Sequence, residues 1–181
     1  MTASDRLKSY FISPDEPRLR AGWRLLAQFA LFIVAGIMVG IPAVVVMLIF
    51  PNLTDLLMIG LNGIPMVVSV LVARKWIDRR SIVSLGLRLD RRALADVLAG
   101  VGISALQIGL IFGLEWGMGW LTWEGFAWQE QPVPSVVGNL LLWLGLFIAV
   151  GFYEELFSRG YQLQNLEEGL NTFWAVVLSS L

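Results

Sequence analysis

Four long apolar blocks dominate the sequence, each close to the length that crosses a ~30 Å hydrocarbon core as α-helix. The first runs from about Leu25 to Phe50, with Gln28 its one strongly polar residue and Pro42 inside it. The second runs from about Leu56 to Ala73 and is interrupted by Asn62 and Pro65. The third covers Ala93 to Leu114 and extends toward Leu121. The fourth begins near Val136, stays apolar to Tyr153, and continues as helix through Glu154 to about Leu166. Gly169 and Asn171 then read as a helix stop followed by a helix start, and a fifth apolar block opens at Phe173. Proline inside a spanning helix is tolerated where neighbouring helices satisfy the freed carbonyl. The expected fold is therefore all-α, a polytopic transmembrane bundle of four spans plus the start of a fifth. It forms one membrane-embedded domain over residues 1–181, with 1–22 as a polar N-terminal segment.

Composition supports this reading and narrows the chemistry. Hydrophobic residues make up 57% of the chain and charged ones only 15%, where a soluble domain carries about 25% charged residues. There is no cysteine, which excludes a disulfide framework and thiolate metal ligation. There is no histidine either, which removes the commonest metal ligand and the commonest general base. Met1 to Arg20 is polar and lacks the apolar core of a cleavable signal peptide.

The cations fix the expected orientation. Arg6, Lys8, Arg18, Arg20 and Arg24 precede or open the first block. Arg74, Lys75, Arg79, Arg80, Arg88, Arg91 and Arg92 lie between the second and third, and Arg159 follows the fourth. The loops at Pro51–Asp55 and Glu115–Ser135 hold none. By the positive-inside rule the N-terminus faces the cytoplasm of a cell membrane, and Glu154 lies at the cytoplasmic side of the fourth span. Trp116, Trp120, Trp123 and Trp128 cluster at the opposite interface, as an aromatic belt does. The basic loop Arg74–Arg92 is a topology determinant that also meets anionic membrane lipid. Nothing supports nucleic-acid binding.

The chemistry concentrates in Gly151-Phe152-Tyr153-Glu154-Glu155-Leu156-Phe157-Ser158-Arg159-Gly160. Adjacent carboxylates on a helix point about 100° apart, so Glu154 and Glu155 cannot both face one spot. Glu155 and Arg159 stand at i, i+4 and can pair, whereas Glu154 shares its stripe with Ser158 and Val150 and has no local cation. A carboxylate in low-dielectric surroundings resists ionisation and suits a general base near neutral pH. Gly151 and Gly160 allow another helix or a substrate to come close. The bland reading of the same residues is a solvated helix end after Tyr153.

Glu154-Glu155-Leu156-Phe157-Ser158-Arg159-Gly160 resembles the first motif, E-E-x-x-x-R, of the CPBP family. These are the CAAX-processing and bacteriocin-processing intramembrane endopeptidases, also called Abi proteins. Asp15-Glu16-Pro17-Arg18-Leu19-Arg20-Ala21-Gly22-Trp23-Arg24 and Ser84-Leu85-Gly86-Leu87-Arg88 are similar to stretches of bacterial members. The resemblance implies cleavage of membrane-associated or lipidated peptides by a glutamate-activated water. Glu154 would activate the water, with Glu155 and Arg159 supporting the site. The family's later motifs, F-x-x-x-H and H-x-x-x-N, are absent from this sequence. A divalent metal such as zinc belongs to the metalloprotease description of the family and finds no ligand set here. The glutamic and metallo-mechanisms both stay open. The runner-up is a non-catalytic membrane protein of the same fold, in bacteriocin self-immunity or scaffolding. A transporter is a third reading, disfavoured by the scarcity of intramembrane charge in the first two spans.

Three smaller expectations complete the reading. Asp96 should sit in the first turn of the third helix, where the helix dipole favours a carboxylate. Asn62 and Gln107 should hydrogen-bond between helices. Residues Phe173 to Leu181 would cover only about 13 Å of a ~30 Å core. That predicts an open reading frame continuing past Leu181, and a chain that inserts without catalysing alone because the base lacks its partners.

Overall fold

The computed structural model describes residues 10–13, 16–50 and 54–180. Arg6, Lys8, Asp15, Pro51, Asn52 and Leu181 lie outside this set. Among the described residues all regular structure is helical, apart from one isolated bridge between Ile12 and Leu19. The helices are α1 (Ala21–Ile49), α2 (Thr54–Val72), α3 (Arg91–Gly117), α4 (Ala127–Glu130), α5 (Val133–Glu155), α6 (Gln164–Gly169) and α7 (Thr172–Ser179). Two π-helical stretches interrupt the α pattern, Ala73–Ile77 after α2 and Leu156–Leu163 between α5 and α6.

Three helical stretches are long and apolar enough to cross a membrane: Ala21–Ile49, Arg91–Gly117 and Val133–Gly169. These are the first, third and fourth predicted blocks. The second block forms the 19-residue α2, with Pro65 inside it. Pro42 likewise sits inside an unbroken α1. The fifth block begins with Asn171, whose side chain accepts the Trp174 amide at 3.0 Å and caps α7.

The chain divides into two units, residues 1–86 with 143–181, and residues 87–142. In the first unit α1 packs mainly along α2, α6 lies against α1, and the π segment 156–163 lies against α2 and α7. Small residues permit these approaches. A Cβ on Gly63 would overlap the Tyr153 ring, and one on Gly160 would stand 3.1 Å from the Leu85 carbonyl oxygen. Gly160 thus allows the close contact expected of it, while Gly151 meets open space.

The second unit holds α3, α4 and the first part of α5. No residue of α3 is buried; Leu98, Leu106 and Ile108 are all exposed. A helix this apolar around its circumference is suited to lipid or to another helix. Asp90, not Asp96, caps α3: its carboxylate accepts the Ala93 amide at 2.8 Å. The helix begins before the apolar block does, so Asp96 stands one turn deeper than its expected place. Trp123 and Trp128 flank Phe126, one edge-on at 4.8 Å and one stacked at 4.4 Å, in the stretch that follows α3. Gly119 and Gly125 turn the chain there with positive φ.

Candidate functional site

The E-E-x-x-x-R segment straddles a change of helical register. Glu154 and Glu155 end α5, and Leu156 opens the π-helical stretch that carries Ser158, Arg159 and Gly160. Such i→i+5 insertions are rare and concentrate at functional sites, because they widen one turn and re-aim its side chains. The Ser158 hydroxyl donates to the Glu154 carbonyl at 2.7 Å. A hydroxyl bonding back four residues competes with the backbone and eases this change of register.

Glu155 and Arg159 form the pair their spacing implies, with Arg159 NH1 3.2 Å from Glu155 Oε2. Both side chains are more than half exposed, at 56% and 74%. Among the described residues Glu154 pairs with no cation, so the two glutamates are distinguished as the sequence suggests. Glu154 is also exposed. Any low-dielectric surroundings for its carboxylate therefore come from a bilayer, not from protein packing. Beside the segment lies a cavity of about 410 Å³ between the π stretch and α7, lined by Glu155, Ser158, Arg159, Leu163, Val176 and Ser179. Two further contacts hold the segment in place. Phe157 packs on Phe32 of α1 at 5.3 Å, and Tyr153 fills the gap left by Gly63 of α2.

Among the described residues no three Asp, Glu, His or Cys side chains converge as a metal-binding group. These residues therefore offer zinc no ligand set.

A second polar cluster escaped the sequence reading. Asp78 is buried, and accepts from Arg74 NH1 at 3.1 Å and from the Tyr161 hydroxyl at 3.1 Å, with Arg24 NH1 at 3.6 Å. Arg74 also donates to the Ser84 hydroxyl at 2.6 Å and to Gln164 Oε1 at 2.9 Å. Glu168 accepts from Arg18 at 2.9 Å, from Arg24 at 2.7 Å and from Arg80. Gln28 donates to the Ser69 hydroxyl at 3.1 Å and so bonds α1 to α2, a role the sequence points to at Asn62 and Gln107 and not at Gln28. Sequence reasoning counted Arg18, Arg24, Arg74 and Arg80 only as topology signals. The available clue was Asp78, a single carboxylate set among Arg74, Lys75, Arg79 and Arg80 just after an apolar block.

This cluster orients the motif. Tyr161, Gln164 and Glu168 belong to the same continuous helical run as Glu154, and their bonds tie that run to α1, to the π turn after α2 and to the Ser81–Gly86 loop. The base would thus be held by a polar clamp up to four turns away.

Residues 136–181 match the family model of type II CAAX prenyl endopeptidase Rce1-like proteins. No match was found among curated proteins or among solved structures.

Proposed function

We propose that this chain, similar over residues 136–181 to type II CAAX prenyl endopeptidase Rce1-like proteins, supplies the general base of an intramembrane endopeptidase. Glu154 takes a proton from a water, and that water attacks the scissile amide of a membrane-associated or lipidated peptide. Glu155 and Arg159, paired on the next helical stripe, hold the neighbouring charge. They leave the Glu154 carboxylate as the free acceptor. Cleavage takes place near the cytoplasmic face, where the orientation expected from the cations puts the end of the fourth span. The observation that carries this reading is the division of labour between adjacent glutamates. Glu155 is bound to Arg159 at 3.2 Å, and among the described residues Glu154 pairs with no cation at the point where α-helix becomes π-helix.

The test is cleavage of a lipidated membrane peptide by reconstituted full-length protein, in which the base has its partners. Glu154→Gln keeps the shape and removes the base, so turnover should fall about 10²–10⁴-fold. Cleavage at the unaltered rate in Glu154→Gln would end the assignment. A non-catalytic role of the same fold, in immunity or scaffolding, is favoured by a donor set without histidine. Unaltered protein that binds such peptides and leaves them whole would establish that role instead.

A further inference from the structure

A second cavity lies about four helical turns from Glu154, at the far end of the motif helix. It has a volume of about 670 Å³ and sits at the N-terminal end of α1, walled by Tyr10, Ser13, Arg20, Trp23, Arg24 and Leu26, with Glu168 at its side. Its chemistry is that of an anion site. The α1 N-terminus opens on it without a side-chain cap, so backbone N–H groups of the first turn have no partner from a capping side chain. Arg24 is only 3% exposed, yet its Nε has no hydrogen-bond partner. A guanidinium nitrogen buried without an acceptor is costly unless a ligand supplies one. Glu168 does not supply it, since that carboxylate is bound by Arg18, Arg24 and Arg80. Arg20 pairs with no carboxylate among the described residues; its Nε reaches only the Ile12 carbonyl at 3.4 Å. Among the cavity's lining residues, Arg20 and Arg24 stand against Glu168 alone, which leaves cation in excess on its walls.

The surroundings identify the source of the anion. The cavity stands where the first membrane-length apolar helix begins, the depth at which headgroups meet hydrocarbon. Trp23 lines it, donates its indole N–H to the Tyr10 carbonyl at 3.2 Å and packs on Phe11 at 4.9 Å. An indole so placed is a membrane-interface anchor. Directly below, Leu26, Phe29 and Ile33 are exposed at 60%, 51% and 46% and follow one face of α1. A free phosphate has no use for that apolar track, whereas an acyl chain does.

We propose that this cavity is a binding site for one anionic phospholipid. The phosphate lies between Arg20, Arg24 and the first-turn amides of α1, and an acyl chain descends along Leu26, Phe29 and Ile33. The site is independent of the protease reading. A bound lipid there braces the N-terminal segment against Arg24 and Glu168, and through them the clamp on the motif helix.

The experiment is native mass spectrometry of the purified full chain after exchange into mixed phosphatidylglycerol and phosphatidylcholine, scoring retained lipid. One phosphatidylglycerol should be kept in preference to phosphatidylcholine. Arg20→Gln should cut that preference about fivefold, the effect of one interfacial arginine. Leu26→Gln should weaken retention of either lipid, and Arg88→Gln, outside the cavity, should change nothing. Arg20 is exposed and outside the buried clamp, so its variant folds and the readout stands. Equal retention of the two lipids, or full preference in Arg20→Gln, would overturn the proposal. Release of phosphatidylglycerol by millimolar inorganic phosphate would overturn it in favour of a free-anion site.

Discussion

Glu154 and Glu155 are adjacent, identical in chemistry and both exposed, yet their surroundings give them different roles. The i, i+4 pair of Glu155 with Arg159 was legible because it depends on spacing along one helix. An exposed pair of this kind contributes only a few tenths of a kcal/mol to stability. Arg159→Gln should therefore leave the thermal midpoint within about 2 °C. Activity in a peptide-cleavage assay should nevertheless fall at least about tenfold, because Glu155 is released as a second negative charge beside the base. Arg159→Lys should recover part of it. Loss of folding and activity together would show that the pair is structural instead. Asp78 and Tyr161 could not be read in the same way. They lie 83 positions apart, and nothing local in the sequence relates them.

At the scale of elements, block lengths gave α1, α3 and α5 closely, because bilayer thickness dictates how much apolar chain a span needs. Their ends were less legible. α1 starts at Ala21, four residues before the apolar block, since Arg24 is drawn inside the helix by Asp78 and Glu168. The π stretch at Leu156–Leu163 was also hidden, because a register insertion has no period of its own in the hydrophobic pattern. Its position is set by tertiary contacts, chiefly Tyr153 against Gly63 and Gly160 against the Leu85 carbonyl. Gly63→Val should displace the Tyr153 ring and shift the end of α5. An overpacking change of this sort costs about 1–3 kcal/mol. The expected signature is a fall in turnover larger than the fall in thermal midpoint. Gly151→Ala, with open space around it, should alter neither.

Across the whole molecule, two kinds of charge placement do different work. Cations at block ends are expected to set which side of the membrane each end occupies, and four of the same arginines, Arg18, Arg24, Arg74 and Arg80, pair with Asp78 and Glu168. The second function needs carboxylates, and Asp78 is the one with least access to solvent. Asp78→Ala should leave Arg24 and Arg74 buried without their shared partner, and breaking a buried pair costs about 3–5 kcal/mol. Topology should survive, because the arginines that direct insertion remain. Asp78→Ala protein in membranes should therefore still expose residues 79–90 on the side of the N-terminus and residues 122–131 on the other, as cysteine labelling of each stretch would report. Its thermal midpoint in detergent should drop by roughly 6–20 °C, at about 2–4 °C per kcal/mol for a chain of this size. A midpoint unchanged in Asp78→Ala would mean that the cluster does not brace the helix ends. A labelling pattern with both stretches on one side, in the unaltered protein, would overturn the orientation itself and with it the depth proposed for Glu154.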